Sequence, residues 1–473
     1  MCQFSPIVLI SPDVTIDQMA AERPSLWLVI QMICTKKLAR QLALGEEVNR
    51  VIAQKTMIEG ERTFDMLCAL IVHVNWGQFS CVKANLGPPL HLAHNLAGAL
   101  GLLKPAPQTS PAVMMNISQA GCPQPPYALN PKPRTLDERR IAVGLFYVSS
   151  ICANFFQRTE PMRWSHYLEE CLQVLMDTKD RPSDELLAIL VRIQIVANAL
   201  QADGWNETYP LTSSSQRPPR SHMTHLHKMQ LDDLKRTIPT HLRDNPMLRY
   251  HLLGVEISLH EHLLQAPPNP PTAITDQTRY IEGLWACLTT IKSYTDSFFA
   301  IKEDEIPLSS YVYLPISVYT HLGHCMVALF RLSTFEAPGI PWDRQYIVST
   351  LDLGDVVRQW IHIMDASPKA ARIDVSGANG QESQWEYSKK ILQPTILKWW
   401  ETKVRPSIMG TQHVNELQAT QGMAQNQTQN APLMETPFEA SMADTNFGDV
   451  DFNFDTEMWM RDMFSSGFDF TNW

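Results

Sequence analysis

The amino-acid sequence predicts an all-α protein, one large helical domain followed by a disordered C-terminal tail. Apolar residues recur at helical spacing through most of positions 25–403. We find no sustained alternation of apolar and polar residues, which a half-buried strand would need, and no GxGxxG motif after a strand. With 473 residues, of which 44% are hydrophobic and 19% charged, the chain can bury a sizeable core.

The predicted domain begins after a leader, residues 1–24, that we expect to be loose. Pro24 suits the first position of a helix, because the missing N–H would have no intrahelical partner there. A loop over 105–133 carries eight prolines and is expected to be a linker or a surface excursion. The helices predicted before this loop are 24–44, 46–58, 62–76 and 90–103.

The centre of the domain is the stretch Thr135–Leu175. Thr135 followed by Glu138 is a capping-box pattern. From Ile141 to Phe156 the sequence is apolar almost all round, which predicts a helix buried on every side. Ser165 can cap a second helix with one apolar stripe. That stripe consists of Leu168, Cys171, Leu172 and Leu175.

Further helices are expected up to residue 403. Ser183 begins a strongly periodic helix, and Asn245 followed by Pro246 is a helix start. The apolar run from Tyr311 to Leu332 is expected to be one helix with a kink at Pro315. The helices predicted after the central stretch are 183–200, 224–237, 246–265, 280–299, 311–332, 343–364 and 385–403.

The composition changes after residue 403. Residues 404–433 are rich in Gln and Asn and predict a disordered linker, whereas 434–473 combine nine acids and one base with seven Phe and two Trp. Such a segment is typical of activation tails, although it could instead dock on its own domain. The residues predicted to bind a partner are Phe447, Phe452, Phe454, Trp459, Met460, Met463, Phe464, Phe468, Phe470 and Trp473.

Several chemical functions receive no support from the residues. The nine cysteines include no CxxC pair, and the net charge of −10 argues against a non-specific nucleic-acid surface. The cluster His222, His225 and His227 is expected in a loop and favours plain polar surface. We see no nucleophile–base set, so the prediction is no enzyme, no catalytic or metal residue and no cofactor. The apolar run near the N-terminus is too short to span a bilayer, which predicts a soluble intracellular protein without a membrane partner.

Five dispersed segments of the chain form a recognisable set, namely 22–30, 95–105, 137–140, 162–172 and 329–344. Together they resemble the middle homology region of fungal zinc-cluster (Zn2Cys6) transcription factors. The resemblance covers roughly residues 20–365 and implies an all-α regulatory domain in a nuclear transcription regulator. It also implies metabolic or secondary-metabolite target genes, and coactivator or mediator-type partners for the tail.

The sequence departs from this family at its N-terminus. Members carry six cysteines that hold two zinc ions, but only Cys2 and Cys34 lie in the first sixty residues of this chain. Zinc and direct DNA binding therefore cannot be carried over: either the regulator reaches DNA indirectly, or a DNA-binding module precedes this sequence. A dimer is left open. The alternative function is a module that binds an effector or a partner protein without binding DNA, and a helical enzyme is a third hypothesis.

Overall fold

The computed structural model describes residues 4–77, 86–106, 133–156, 160–205, 220–264, 274–302, 304–374 and 384–410. These ranges are mainly helical, and within them extended pairing is limited to two isolated bridges, Lys37 with Asp374 and Ala337 with Ile340. The all-α prediction is confirmed.

The helices follow the chain in two groups. Those before residue 240 are α1 (Ile16–Glu22), α2 (Pro24–Cys34), α3 (Leu38–Ala53), α4 (Phe64–Asn75), α5 (Gly87–Ala99), α6 (Leu136–Phe156), α7 (His166–Thr178), α8 (Ser183–Trp205) and α9 (Arg220–Thr237). The later ones are α10 (Pro246–Glu261), α11 (Ile274–Phe299), α12 (Ile316–Thr334), α13 (Arg344–Thr350), α14 (Leu353–Ala370), α15 (Gln384–Ile391) and α16 (Arg405–Met409).

Two hydrophobic clusters form the core. The first is built mainly from α2 to α8, and the second mainly from α11 to α14 and the segment after residue 384. Helix α10 belongs to both, since Leu248 and Val255 pack into the first cluster while Tyr250 and Ile257 pack into the second. We call the boundary along α10 the seam.

The central stretch folds as predicted. The Thr135 N–H donates to Glu138 Oε2 at 2.9 Å, and the Glu138 N–H donates to Thr135 Oγ1 at 3.1 Å, which completes the capping box. Ser165 Oγ accepts from the Leu168 N–H at 3.3 Å and caps α7. The apolar stripe of α7 is buried, and so is α6 from Ile141 to Ala153.

The N-terminal segment differs from the expected loose leader. Phe4 packs into the second cluster, whereas Ile7 and Met19 pack into the first. Ile7 lies so close to α6 that a Cβ on Gly144 would stand 2.1 Å from its Cγ2, so a larger residue at position 144 would force Ile7 to move. No local pattern could indicate this packing, because the partner surface is more than a hundred residues away.

Three local expectations are corrected. The helix predicted over 24–44 ends at Cys34, because Lys36 and Leu38 pair their backbones with Asp374. Pro315 does not kink a helix but precedes α12 as its N-cap. Inside a helix its missing N–H would break an intrahelical hydrogen bond, whereas at the N-cap it breaks none. His225 and His227 lie within α9 rather than in a loop.

The C-terminal part of the helical domain continues past the predicted end at 403. Residues Leu392–Leu397 and Trp400–Val404 form π-helical turns, and α16 follows. Pro394 lies in the first of these turns, and proline has no N–H to donate to a regular α-helical hydrogen bond. Most of the proline-rich loop 105–133 and of the linker 404–433, and all of 434–473, lie outside the described residues.

Helix α8 contains a long apolar stretch. Its stretch Ser183–Ala202 is long and apolar enough to cross a membrane, by length and composition only. In the structure it packs against α6, α7, α9 and α10, so its apolar residues are used in the first cluster.

A polar cavity at the seam as the candidate functional site

The partner-binding residues predicted from the sequence, Phe447 to Trp473, all lie outside the described residues. The structure therefore neither places nor tests them. Within the described residues, no group of three or more His, Cys, Asp or Glu side chains could hold a metal ion. The described part of the chain offers a different kind of candidate site.

A cavity of about 50 Å³ lies at the seam, between α6, α8, α10 and α12. These four helices come from both hydrophobic clusters, and the boundary between packed units is where ligand sites are often found. The wall is apolar at Ile151, Val255 and Val327, and it is interrupted by several polar side chains. A mixed lining of this kind can hold a small molecule with one polar group, or water.

One side chain of the lining carries a buried amide nitrogen without a hydrogen-bond partner. Gln194 on α8 is 1% exposed, and its Nε2 has no hydrogen-bond partner among the described protein groups. Thr320 on α12, which also belongs to the lining, donates its hydroxyl proton to the Ser317 carbonyl at 2.8 Å, so the Thr320 oxygen can only accept. A buried donor without a partner costs about 1–3 kcal/mol.

A buried histidine stands behind the cavity wall in one defined tautomer. His251 Nδ1 lies 2.7 Å from the Met247 carbonyl, which can only accept, so Nδ1 carries the proton. Its Nε2 therefore accepts from the Tyr147 hydroxyl at 2.6 Å. Burial lowers the pKa of His251 to about 4, so the ring is neutral at pH 7.

His321 brings a second imidazole to the cavity. Its ring meets that of His251 edge to face, with the centroids 5.0 Å apart, and its Nε2 is buried without a hydrogen-bond partner among the described residues. A Cβ on Gly254 would stand 2.2 Å from His321 Nδ1, so glycine at this point of α10 makes room for the ring. Burial, with smaller contributions from His251 and His324, lowers the pKa of His321.

At the more exposed side chains of the cavity, the carboxylate of Glu261 lies close to His324 and Arg331. Glu261 Oε2 lies 3.1 Å from His324 Nε2, and Glu261 Oε1 lies 3.8 Å from Arg331 Nη1. Ser258 Oγ lies 3.4 Å from His324 Nδ1. These side chains hold α10 against α12 at the rim.

The neutral state of His251 predicts acid sensitivity. Its folded pKa of about 4 lies below the ordinary 6.5, so only the unfolded chain takes up a proton as the pH falls between these values. The stabilisation that comes from neutral His251 is fully present above pH 6.5. As the pH falls to 5, the free energy of unfolding should decrease by about 2 kcal/mol. Tyr147 and His321 face the ring and supply no compensating anion.

Denaturant unfolding of His251→Gln between pH 7.5 and 5 measures this effect, because glutamine can keep a donor and an acceptor without titrating in this range. We expect a flatter pH dependence than in the unsubstituted chain. The matched control is His225→Gln, an exposed position on α9. An equal pH dependence in the unsubstituted chain and in His251→Gln would contradict the assignment.

Sequence reasoning missed these residues. The sequence patterns draw attention to the histidines of α9, but not to His251, His321 or Gln194. The available signal was a polar side chain inside a strongly apolar helix, such as His321 in α12. That signal does not tell which helices meet, and the cavity exists only because α6 and α8 close against α10 and α12.

Comparison with known proteins shows what the chain is similar to. A family model described as a C-terminal domain matches residues 308–471. The chain is 28% identical to "Transcription factor opdL" of Penicillium oxalicum over 81% of its own length and 66% of that protein. It is 23% identical to "Transcription factor himD" of Aspergillus japonicus, over 92% and 70%, and 21% identical to a "Transcription factor" of Aspergillus terreus, over 77% and 53%.

The described residues thus define an all-α helical domain with an internal polar cavity, and its relatives are regulators of transcription. The chain is similar to fungal proteins named as transcription factors. The matches span between about half and 70% of the relatives' own lengths. No solved structure matches the chain significantly.

Proposed function

We propose that this protein activates transcription in the nucleus through an acidic–aromatic tail carried by the helical domain. The observation that carries the proposal is the composition of residues 434–473, nine acids and one base among seven Phe and two Trp. Like charges repel and keep the aromatic side chains from collapsing into a core, so these side chains stay available to a partner. The names of the three relatives support the regulatory part of the proposal.

The tail would bind a hydrophobic groove on a coactivator or mediator-type protein. Trp459 and Met463, like Met460 and Phe464, are four residues apart and would share one face of a helix. Folding of Asp455–Phe464 on binding would place these four side chains in the groove, with the acids facing solvent or a basic rim. The genes controlled would be metabolic ones, including genes of secondary metabolism.

Access to DNA would come from a further module of the protein or from a DNA-binding partner. The cysteines of this sequence include no CxxC pair, and the relatives are longer than the matched region. The helical domain would therefore be brought to its target genes rather than find them itself. We propose no zinc ion or other cofactor for the described domain.

Fusion of residues 434–473 to an unrelated DNA-binding domain tests the proposal. We expect reporter activation, and a reduction of at least fivefold after Trp459→Ala with Phe464→Ala, because hot-spot aromatics each contribute about 1–2 kcal/mol or more to binding. The matched control is Ser465→Ala with Ser466→Ala, which leaves charge and aromatics unchanged. A fusion that is silent, or as active with both aromatics removed, would refute the activation role of the tail.

A further inference from the structure

The fold brings two basic stretches of the chain together, residues 35–40 and 369–374. Their backbones pair directly, since the Asp374 N–H donates to the Lys36 carbonyl at 2.7 Å and the Leu38 N–H donates to the Asp374 carbonyl at 3.0 Å. The first stretch joins α2 to α3, and the second begins in the last turn of α14. We call the cations of these stretches the basic patch, which consists of Lys36, Lys37, Arg40, Lys369 and Arg372.

The basic patch carries positive charge that the described domain leaves uncompensated. All five side chains are exposed, and none of them forms an ion pair with a carboxylate of the described residues. Asp374 is the only acid within the two stretches. The acid that precedes them on α14, Asp365, is already paired with Lys389 at 2.5 Å. Five cations against one acid make this surface attractive to an anion.

Arg372 occupies a backbone position that favours glycine. Helix α14 ends in a Schellman motif, in which the Ile373 N–H donates to the Pro368 carbonyl at 2.8 Å. The second bond of the motif runs from the Arg372 N–H to the Lys369 carbonyl at 3.0 Å. Arg372 is left-handed, with a φ of 55°, which glycine adopts without steric cost and arginine does not. An arginine at such a position, among unpaired cations, points to a function for its side chain.

We infer that the basic patch binds the phosphate backbone of DNA. Lys and Arg side chains donate to phosphate oxygens, and such contacts hold a protein on the duplex without reading its sequence. The patch offers charge without an apolar groove, since no large hydrophobic side chain of the two stretches is exposed. An acidic–aromatic peptide such as 434–473 would need a groove for its rings. The inference goes beyond the proposed activation by the tail and does not depend on it.

The acidic composition of the whole chain is compatible with such a site. The net charge is −10, but residues 434–473, with nine acids and one base, contribute −8 of it. The rest of the chain is therefore close to neutral. Charges act over a Debye length of about 8 Å at physiological ionic strength, so the basic patch determines the potential at its own surface. Its DNA contacts would support the domain once another module or a partner has brought it to a gene.

Fluorescence anisotropy of a labelled 20-base-pair duplex, titrated with the full chain, measures the binding. We expect a Kd in the micromolar range in 50 mM salt. The logarithm of the affinity should fall with the logarithm of the salt concentration with a slope of about −4, because each neutralised phosphate releases about 0.9 counterion. A poly-glutamate peptide is the comparison probe, and it should displace the duplex at least tenfold less well than unlabelled DNA does.

Removal of three cations from the basic patch locates the binding. Lys36→Gln with Lys37→Gln and Lys369→Gln should weaken DNA binding at least about thirtyfold in 0.1 M salt and make the salt slope shallower by about 3. The matched control changes the net charge equally but replaces lysines that already have a carboxylate partner. It should leave the salt slope unchanged, and it consists of Lys228→Gln, Lys292→Gln and Lys302→Gln.

Arg372→Gly separates binding from stability. It should weaken DNA binding about fivefold, as expected for one lost phosphate contact, while Tm stays equal or rises because glycine relieves the left-handed backbone. The matched control is Lys179→Gly. Lys179 is also left-handed, with a φ of 47°, but it lies 2.8 Å from Glu185 and outside the basic patch. This control should leave the DNA affinity unchanged.

Three results would overturn the inference. The first is no DNA binding in 50 mM salt, and the second is a salt slope that the triple substitution in the basic patch leaves unchanged, which would place the DNA elsewhere on the chain. The third is displacement by poly-glutamate as efficient as displacement by DNA, which would make the partner an acidic protein. None of these outcomes bears on reporter activation by residues 434–473.

Discussion

Replacing Arg140 with Met is expected to lower the free energy of unfolding by about 3–5 kcal/mol. Arg140 is 2% exposed on the first turns of α6 and binds Asp184 with two hydrogen bonds, of 2.7 Å from Nε and 2.9 Å from Nη2. Its remaining donors reach Asp137 at 2.6 Å and Asp180 at 2.7 Å. Loss of the guanidinium would leave the carboxylate of Asp184, itself 1% exposed, buried without its cation.

The neighbouring Arg139 provides the matched control. It makes one ion pair, 3.1 Å from Glu170, and that carboxylate is about half exposed. Exposed pairs of this kind contribute only about 0–1 kcal/mol, so Arg139→Met should cost far less than Arg140→Met. Both variants change the same residue type on the same turn of one helix.

A second substitution separates charge from packing. Asp184→Asn keeps an oxygen that can accept from the Arg181 N–H but removes the buried charge. The double variant Arg140→Met with Asp184→Asn should therefore be more stable than Arg140→Met alone, as measured by denaturant unfolding. If the two single arginine variants lose the same stability, the buried pair has no special role in holding α6 against α8.

The Arg140 cluster shows which parts of the fold were predictable from the sequence. The segment 137–140 was notable only through its resemblance to a family, and its physical role became visible when α6 met the start of α8. Local chemistry, in contrast, was predictable, since the capping box at Thr135, the cap at Ser165 and the buried stripe of α7 depend on residues a few positions apart. Such short-range patterns determine where a helix begins and which face it buries.

The expectations that the structure corrects depend on contacts between residues far apart in the sequence. The break after Cys34 depends on a backbone pairing with Asp374, and the packing of Ile7 depends on Gly144. The seam cavity is the extreme case, because its lining is drawn from four helices between Ile151 and Val327. Its central polar residues, Gln194 and His321, look like ordinary interruptions of apolar helices until the helices are assembled. No periodicity within one helix reports what lies opposite it.

The second large loss of stability is expected from a substitution in the segment 384–410, at the C-terminal end of the described helical domain. Trp400 is fully buried, and its Nε1 donates to Asp352 Oδ1 at 3.0 Å. The same carboxylate caps α14 through the Gly354 N–H and accepts from Arg405 Nε at 2.7 Å. Trp400→Ala should therefore lower the free energy of unfolding by about 3–5 kcal/mol, through the cavity it creates and the bond it removes.

Trp399→Ala is the matched control, because this neighbouring Trp is only partly buried and packs on Phe330 with the ring centroids 5.5 Å apart. Hydrogen exchange should then distinguish local from global loss. If Trp400 attaches the segment 384–410 to α14, Trp400→Ala should lower amide protection in 384–410 and leave protection in α6 to α8 unchanged. Trp400→Phe should give a loss of protection between those of the unsubstituted chain and Trp400→Ala, because it keeps a ring but loses the bond to Asp352. Equal effects of the two Trp→Ala substitutions would show that Asp352 and Trp400 do not form the attachment point of this segment.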